Sequence, residues 1–323
     1  MAVLSRLLPG ALKQKINATI ESGLGDRLEA RLEKDSVEQQ KKSARTVTRD
    51  DLRRDLEALS LPTGATVFVH TSLSRLGFIE GGAGTVAEVL KELIVEQAGG
   101  TLAMPAFSIQ GSMADTLRSD DLFDVRSTPS GVGKITEVFR GGADVERSLH
   151  PTYSVCALGE RAKWLTEDHH KSEKSFGEIS PLGRVLECGG YIMGLGSGLG
   201  TVTFYHVAED LRDDFPRQVY TADSPIEKKC VDKKGEIQNL RFYGHDPEAS
   251  VVRIDKPNGL WIRGHLTEYM ERNHGLRWIT VGEGQAWIIP ASQFYLGILE
   301  LMEGGITIYS TEQDVVGKQA IAV

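Results

Sequence analysis

From Thr48 to Cys188 the chain alternates short apolar runs of strand length with amphipathic runs of helical period, punctuated by glycine and proline. Nothing else in the sequence narrows the fold as far, because strands joined through helices cross over and lie parallel in one covered sheet. Thr48–Leu59 opens with Thr48 as a helix N-cap and carries Asp50 and Asp51 in the first turn, where carboxylates complement the helix dipole. Thr66–His70 reads as a strand, Thr85–Gln97 as a helix after a double glycine, and Thr101–Phe107 as a strand. Ser108–Thr128 reads as a long polar loop, and such loops in compact domains tend to be functional. Gly131–Arg140 follows as a helix, Tyr153–Leu158 as a strand, and Pro181–Cys188 as a short helix opened by proline at its first position. The expectation is an α/β fold with a mainly parallel sheet covered by helices on both faces.

After Asp214 the pattern changes. Arg217–Tyr220 and Glu227–Val231 are β-like, and Lys233-Lys234-Gly235-Glu236 marks a hairpin turn into Ile237–Tyr243. Ile262–Asn273 is helical, Arg277–Val281 and Gln285–Ile289 form a second hairpin, and Ala291–Glu303 is a last helix. A core over residues 47–215 with a smaller C-terminal α+β lobe over 216–323 is expected, preceded by an extension over 1–46. Residues 1–18 hold Arg6, Lys13 and Lys15 without an acid, and Leu4, Leu7, Leu8, Leu12 and Ile16 at helical spacing. A helix of that kind packs on the protein body or a second copy, or lies on an anionic membrane surface.

The chain of 323 residues is 40% hydrophobic and 25% charged, the balance of an ordinary globular protein. A formal charge of −8 argues against a nucleic-acid partner and suits a cationic one. Cys156, Cys188 and Cys230 form neither a disulfide framework nor a metal-ligand spacing, so no metal is expected. With no run of membrane-spanning length and no evident cleavable signal, the cytoplasm is the expected location.

The segment richest in chemistry is Gly189–Gly200 with the Thr203-Phe204-Tyr205-His206-Val207-Ala208-Glu209 that follows. Tyr191–Leu195 reads as a buried strand, the glycines as a tight turn, and Thr203 as the N-cap of a helix. Thr203, His206 and Glu209 or Asp210 then share one helix face. That places an imidazole at the end of a sheet strand, where open α/β folds form clefts, and helix-terminal dipoles keep it neutral and basic.

This segment resembles the core signature of the aminoglycoside 3-N-acetyltransferase family, the acetyl-CoA-dependent antibiotic N-acetyltransferases. Other stretches agree with that family in order and spacing: Val69–Gly77 with Gly81-Gly82, Gly100–Pro105, Phe123-Asp124 with Thr128–Gly133, Arg147–Pro151, and Ser180–Gly183. The match is closest over residues 48–215. The resemblance implies acetyl-CoA, or another acyl-CoA, as co-substrate and a small-molecule amino sugar as acceptor. It also implies pantetheine contacts at His70, Thr71, Ser72, Leu73, Ser130 and Gly131. His206 is the implied base, and a strand after the first hairpin should supply the acid that orients it. Asp246 is the candidate for that acid, with His245 as its rival and Glu209 as the alternative one helical turn away. Asp124, His150 and Thr203 are the candidate acceptor contacts, and His169-His170 reads as part of a solvated charged loop. Neither a phosphate-binding loop nor a nucleophile elbow is present, so direct transfer is favoured over an acyl-enzyme. Two other functions share the fold: a biosynthetic acyltransferase of a glycan or natural-product amino sugar, and a non-catalytic acyl-CoA-binding protein.

Overall fold

A computed structural model describes residues 45–221, 225–256 and 259–314. The amphipathic stretch expected over 1–18 lies outside these residues. The elements in order are β1 (Thr46–Val47), α1 (Arg49–Glu57), β2 (Thr66–Thr71), β3 (Phe78–Ile79), α2 (Gly82–Lys91), β4 (Thr101–Pro105) and α3 (Met113–Arg118). There follow β5 (Phe123–Asp124), α4 (Lys134–Arg140), β6 (Glu146–Arg147), β7 (Val155–Gly159), α5 (Ala162–Thr166) and α6 (Pro181–Glu187). The rest are β8 (Tyr191–Leu195), α7 (His206–Leu211), β9 (Ile226–Val231), β10 (Ile237–Phe242), α8 (Leu260–Asn273), β11 (Arg277–Val281), β12 (Gly284–Pro290) and α9 (Ala291–Glu303).

The central sheet has seven strands in the order β11-β12-β8-β2-β4-β7-β6. Its middle strands are mostly apolar and buried because both of their faces are covered. In β2, Phe68 joins one core while Val67 and Val69 join the other; in β8, Ile192 and Met193 divide in the same way. Helices α1, α2 and α4 supply Leu52, Leu56, Val86, Val89, Ile135 and Phe139 to one core. Helices α6, α8 and α9 supply Leu182, Val185, Leu266, Met270, Phe294 and Ile298 to the other. Thr48 caps α1 through a reciprocal box with Asp51, satisfying amides that the first turn would leave unpaired. No helix among the described residues is long and apolar enough to cross a membrane.

The sheet is mixed, and the mainly parallel expectation is corrected here. Only β8 with β2 and β2 with β4 pair in parallel; the flanking pairs are antiparallel. The reason is local. A two-residue turn at Gly282-Glu283, with Gly282 at φ +59°, reverses β11 into β12. On the other side β6 and α4 intervene between β4 and β7, so strand–helix alternation no longer dictates direction.

The C-terminal region shares the main sheet. Residues Val47–Val323 group as one compact unit, and β11 and β12 complete the main sheet. Strands β9 and β10 instead join β5 in a three-stranded sheet, with Phe123 opposite Cys230. The region expected to be a long loop therefore contains α3, capped by Ser112 with Asp115, and one strand of this sheet.

Candidate active site

The backbone that carries His206 leaves β8, turns at Gly196 with φ +68°, and re-enters helical geometry through a short 3-10 turn at Thr203–Tyr205. Thr203 makes no side-chain cap, contrary to expectation; its backbone N–H instead donates to His70 Nε2 at 3.4 Å. The β8–α7 connection is pinned from β12, where Trp287 Nε1 donates to the Ser197 carbonyl at 2.7 Å. Gly194 makes this possible, since a Cβ there would overlap the Trp287 indole.

Within α7, His206 Nδ1 lies 2.7 Å from Glu209 Oε2, and both side chains are buried. The carboxylate makes Nδ1 the protonated nitrogen and leaves Nε2 as the acceptor, with no hydrogen bond among the described residues. Glu209 Oε1 accepts from the Tyr309 hydroxyl at 2.9 Å, which draws the far end of the chain into the site. His245 completes the group: its Nε2 is 3.7 Å from Glu209 Oε2 and its ring centre 4.9 Å from that of His206. Phe176 stacks on His206 at 5.1 Å and Tyr220 on His245 at 4.9 Å, sealing both rings in apolar surroundings.

Burial sets the charges. It pushes His206 well below the ordinary imidazole range, aided by the Arg253 guanidinium, and brings His245 down to about 3. The same desolvation raises Glu209 to about 7, against the pull of His245, the Tyr309 hydroxyl and Arg253. Asp210 is raised to about 7 by burial as well, but it acts as a strut, accepting from Phe176 N at 2.7 Å and from the Tyr220 hydroxyl. The donor atoms of His206, Glu209 and His245 lie within 4.8 Å of one another, so this trio is where the described residues could hold a metal ion. The 2.7 Å contact is hydrogen-bonding geometry, though. Two ligands of a tetrahedral zinc with bonds near 2.0 Å would stand roughly 3.3 Å apart.

The other candidates fall in several places. Asp246 is not brought to His206: it is half-buried, and its carboxylate accepts from Glu248 N at 2.9 Å in a local turn, while the neighbouring His245 faces Glu209. His70, Thr71, Ser72 and Leu73 run from the end of β2 past Thr203, and the half-buried Thr71 and Ser72 hydroxyls bond to nothing among the described residues. The amides of Ser130 and Gly131 are already used, by Glu137 Oε2 and the Phe107 carbonyl at 2.7 Å each, so neither is free to bind an anion here. Asp124 is chelated by Arg126, which holds it down at about 2. His150 is fully buried, its Nδ1 accepting from Tyr153 N at 3.0 Å. It stacks at 4.3 Å on His169, which is buried too and not part of a solvated loop. Tyr309 and Arg253 carried no motif. Their only sequence signal is a lone polar residue in an irregular stretch, which many surface positions share.

The aminoglycoside 3-N-acetyltransferase family model matches residues 68–303. The aminoglycoside N(3')-acetyltransferase-like protein YokD of Bacillus subtilis is 35% identical over 178 residues, spanning 50% of this chain and 64% of the relative. Aminoglycoside N(3)-acetyltransferase VII of Streptomyces paromomycinus is 34% identical over 221 residues, spanning 64% of this chain and 74% of the relative. Among solved structures, aminoglycoside acetyltransferase AAC(3)-Xa superposes with a TM-score of 0.67 at 27% identity, covering 84% of this chain and 97% of that one. A binary complex of AAC-IIIb with CoASH superposes equally well, at 0.67 and 25% identity, covering 81% and 98%. With the motif, the fold and a family match over most of its length, the chain belongs to the aminoglycoside 3-N-acetyltransferase family.

Proposed function

We propose that the protein transfers an acetyl group from acetyl-CoA to an amino group of an aminoglycoside or related amino sugar, with His206 as the base. The observation that carries the reading is the 2.7 Å bond from His206 Nδ1 to a buried Glu209, which orients the ring and leaves Nε2 to accept a proton. The acceptor nitrogen attacks the thioester carbonyl, so a C–N bond forms as the C–S bond breaks. His206 Nε2 takes the proton that the nitrogen sheds, and the departing CoA thiolate can receive it. Glu209 steadies the transient imidazolium and is itself held by Tyr309. Pantetheine would lie along residues 70–73, where the Thr71 and Ser72 hydroxyls are unengaged. The relative solved with CoASH supports an acyl-CoA donor.

Thiol release from acetyl-CoA in the presence of an amino sugar tests the reading. His206→Ala should lower kcat by about 10²–10⁴-fold, the usual contribution of a positioned base. Acetyl-CoA should raise the melting temperature of the variant as it does the parent's, because the base acts on the amine and not on the cofactor. Normal turnover by the folded variant would remove His206 from the mechanism.

A further inference from the structure

The cleft that opens on this cluster has the wrong charge for a polycation. It encloses about 360 Å³ and is lined by Ile109, Met113, Tyr153, His245, Arg253 and Lys256, among others, with no Asp or Glu among its described lining residues. His245 belongs both to this lining and to the buried cluster with Glu209 and His206, so one ring separates the cleft from the proposed base. Both His245 ring nitrogens are buried without a hydrogen bond, so the ring presents its carbon edge to the cleft while Nε2 faces Glu209 at 3.7 Å.

Two cations share a single carboxylate at this wall. Arg253 gives Nε and Nη2 to Asp255 at 2.6 and 2.9 Å, which leaves Nη1 with no partner among the described residues. Lys256 Nζ stands 3.6 Å from the same Asp255 and its side chain is 45% exposed. Of the acids of the 108–128 segment, Asp124 is paired with Arg126, and Asp120 and Asp121 are exposed and act on Lys228. Asp115 keeps its charge at the rim, where it accepts from the Ser112 hydroxyl at 2.6 Å. A polycation entering here would meet two lining cations with no lining carboxylate to receive it, which disfavours it. An anion would gain charge-assisted hydrogen bonds from a guanidinium edge and an ammonium.

We propose that this cleft seats an acceptor amine that also carries a phosphate or carboxylate, with Arg253 and Lys256 holding the anion while the amine lies beside His206. The inference rests on the acetyl-transfer reading and names its acceptor class. Phosphate could also come from CoA itself, and the arms of the test separate the two sources.

Thiol release is measured for the full chain with glucosamine 6-phosphate, glucosamine and kanamycin as acceptors. The phosphorylated sugar should show a kcat/KM at least about tenfold above the other two, an advantage that 0.5 M salt should shrink. Lys256→Gln should remove most of that advantage through KM, with the melting-temperature shift caused by acetyl-CoA unchanged. Arg253→Gln should do the same where it folds; Lys256, being exposed, keeps the test valid where it does not. Preference for kanamycin, or no gain from the phosphate, overturns the inference and leaves acetyl transfer standing. A Lys256→Gln variant that loses its acetyl-CoA shift but keeps its acceptor preference assigns the cations to CoA and overturns it too. If acetyl-CoA binds and no amine of either charge releases thiol, the transfer reading fails and this inference with it.

Discussion

Glu209 divides its two oxygens between His206 Nδ1 and the Tyr309 hydroxyl, and its ionisation decides whether His206 is held as a base. Desolvation raises it to about 7, and the Tyr309 hydrogen bond opposes that rise. Tyr309→Phe removes the opposing bond, so Glu209 should titrate higher still. The expected outcome is a shift of the rising limb of kcat/KM against pH toward higher pH, with the plateau less affected. A limb that does not move would detach Tyr309 from the titration. At this scale the sequence was partly legible. His206 and Glu209 are three residues apart on one helical turn, so local spacing alone predicts that they meet. Tyr309 is a hundred positions away and no period links it to Glu209. The choice between Asp246 and His245 was equally closed to pattern. β10 ends at Phe242, and only the isolated bridge from His245 to Tyr220 sets which of the two neighbours turns inward.

The strand–turn–helix unit from β8 to α7 works as an element because β12 clamps it. The Trp287 indole lies against Gly194 and donates to Ser197 just before the turn. Gly194→Ala forces a methyl group into that indole and should cost about 1–3 kcal/mol, with activity falling as the turn shifts. Gly264, exposed within α8, has nothing within 4 Å of an added Cβ. There the same substitution should stabilise by roughly 0.5–1 kcal/mol through helix propensity. Chemical denaturation of both variants checks the opposite signs; a destabilised Gly264→Ala would mean that α8 packs differently. Element positions were mostly legible, because burial on both faces writes β2, β4 and β8 as apolar runs and capping chemistry marks α1 and α6. Their directions were not, since a hairpin and a crossover leave the same apolar run.

Over the whole molecule, five buried histidines (His70, His150, His169, His206 and His245) are pushed below their ordinary value of 6.5 by desolvation. Unfolded, each takes a proton near pH 6.5 that the folded state refuses until far lower, so their contribution is present above 6.5 and lost as pH falls. Glu209 and Asp210 act oppositely. Raised to about 7 from 4.5 and 3.8, they favour the fold below those ordinary values and lose that contribution as pH rises through 7. Between 4.5 and 6.5 the balance is five protons against two, a net of three favouring the unfolded state. Stability should therefore drop on acidification by up to about 4 kcal/mol per pH unit. Urea midpoints measured from pH 7.5 to 5 test this, and a flat profile would show that these histidines are solvated. The sequence by itself determined the α/β class and the family, and it put Glu209 or Asp210 on one helix face with His206, because these rest on short-range periodicity and contiguous motifs. Only the tertiary structure decided the mixed sheet, the joining of 108–128 to the C-terminal strands, the placing of His245 against Glu209, and the cationic wall of the cleft. These depend on which distant segments pack together, and packing is a property of volumes and surfaces meeting in space that no local spacing encodes.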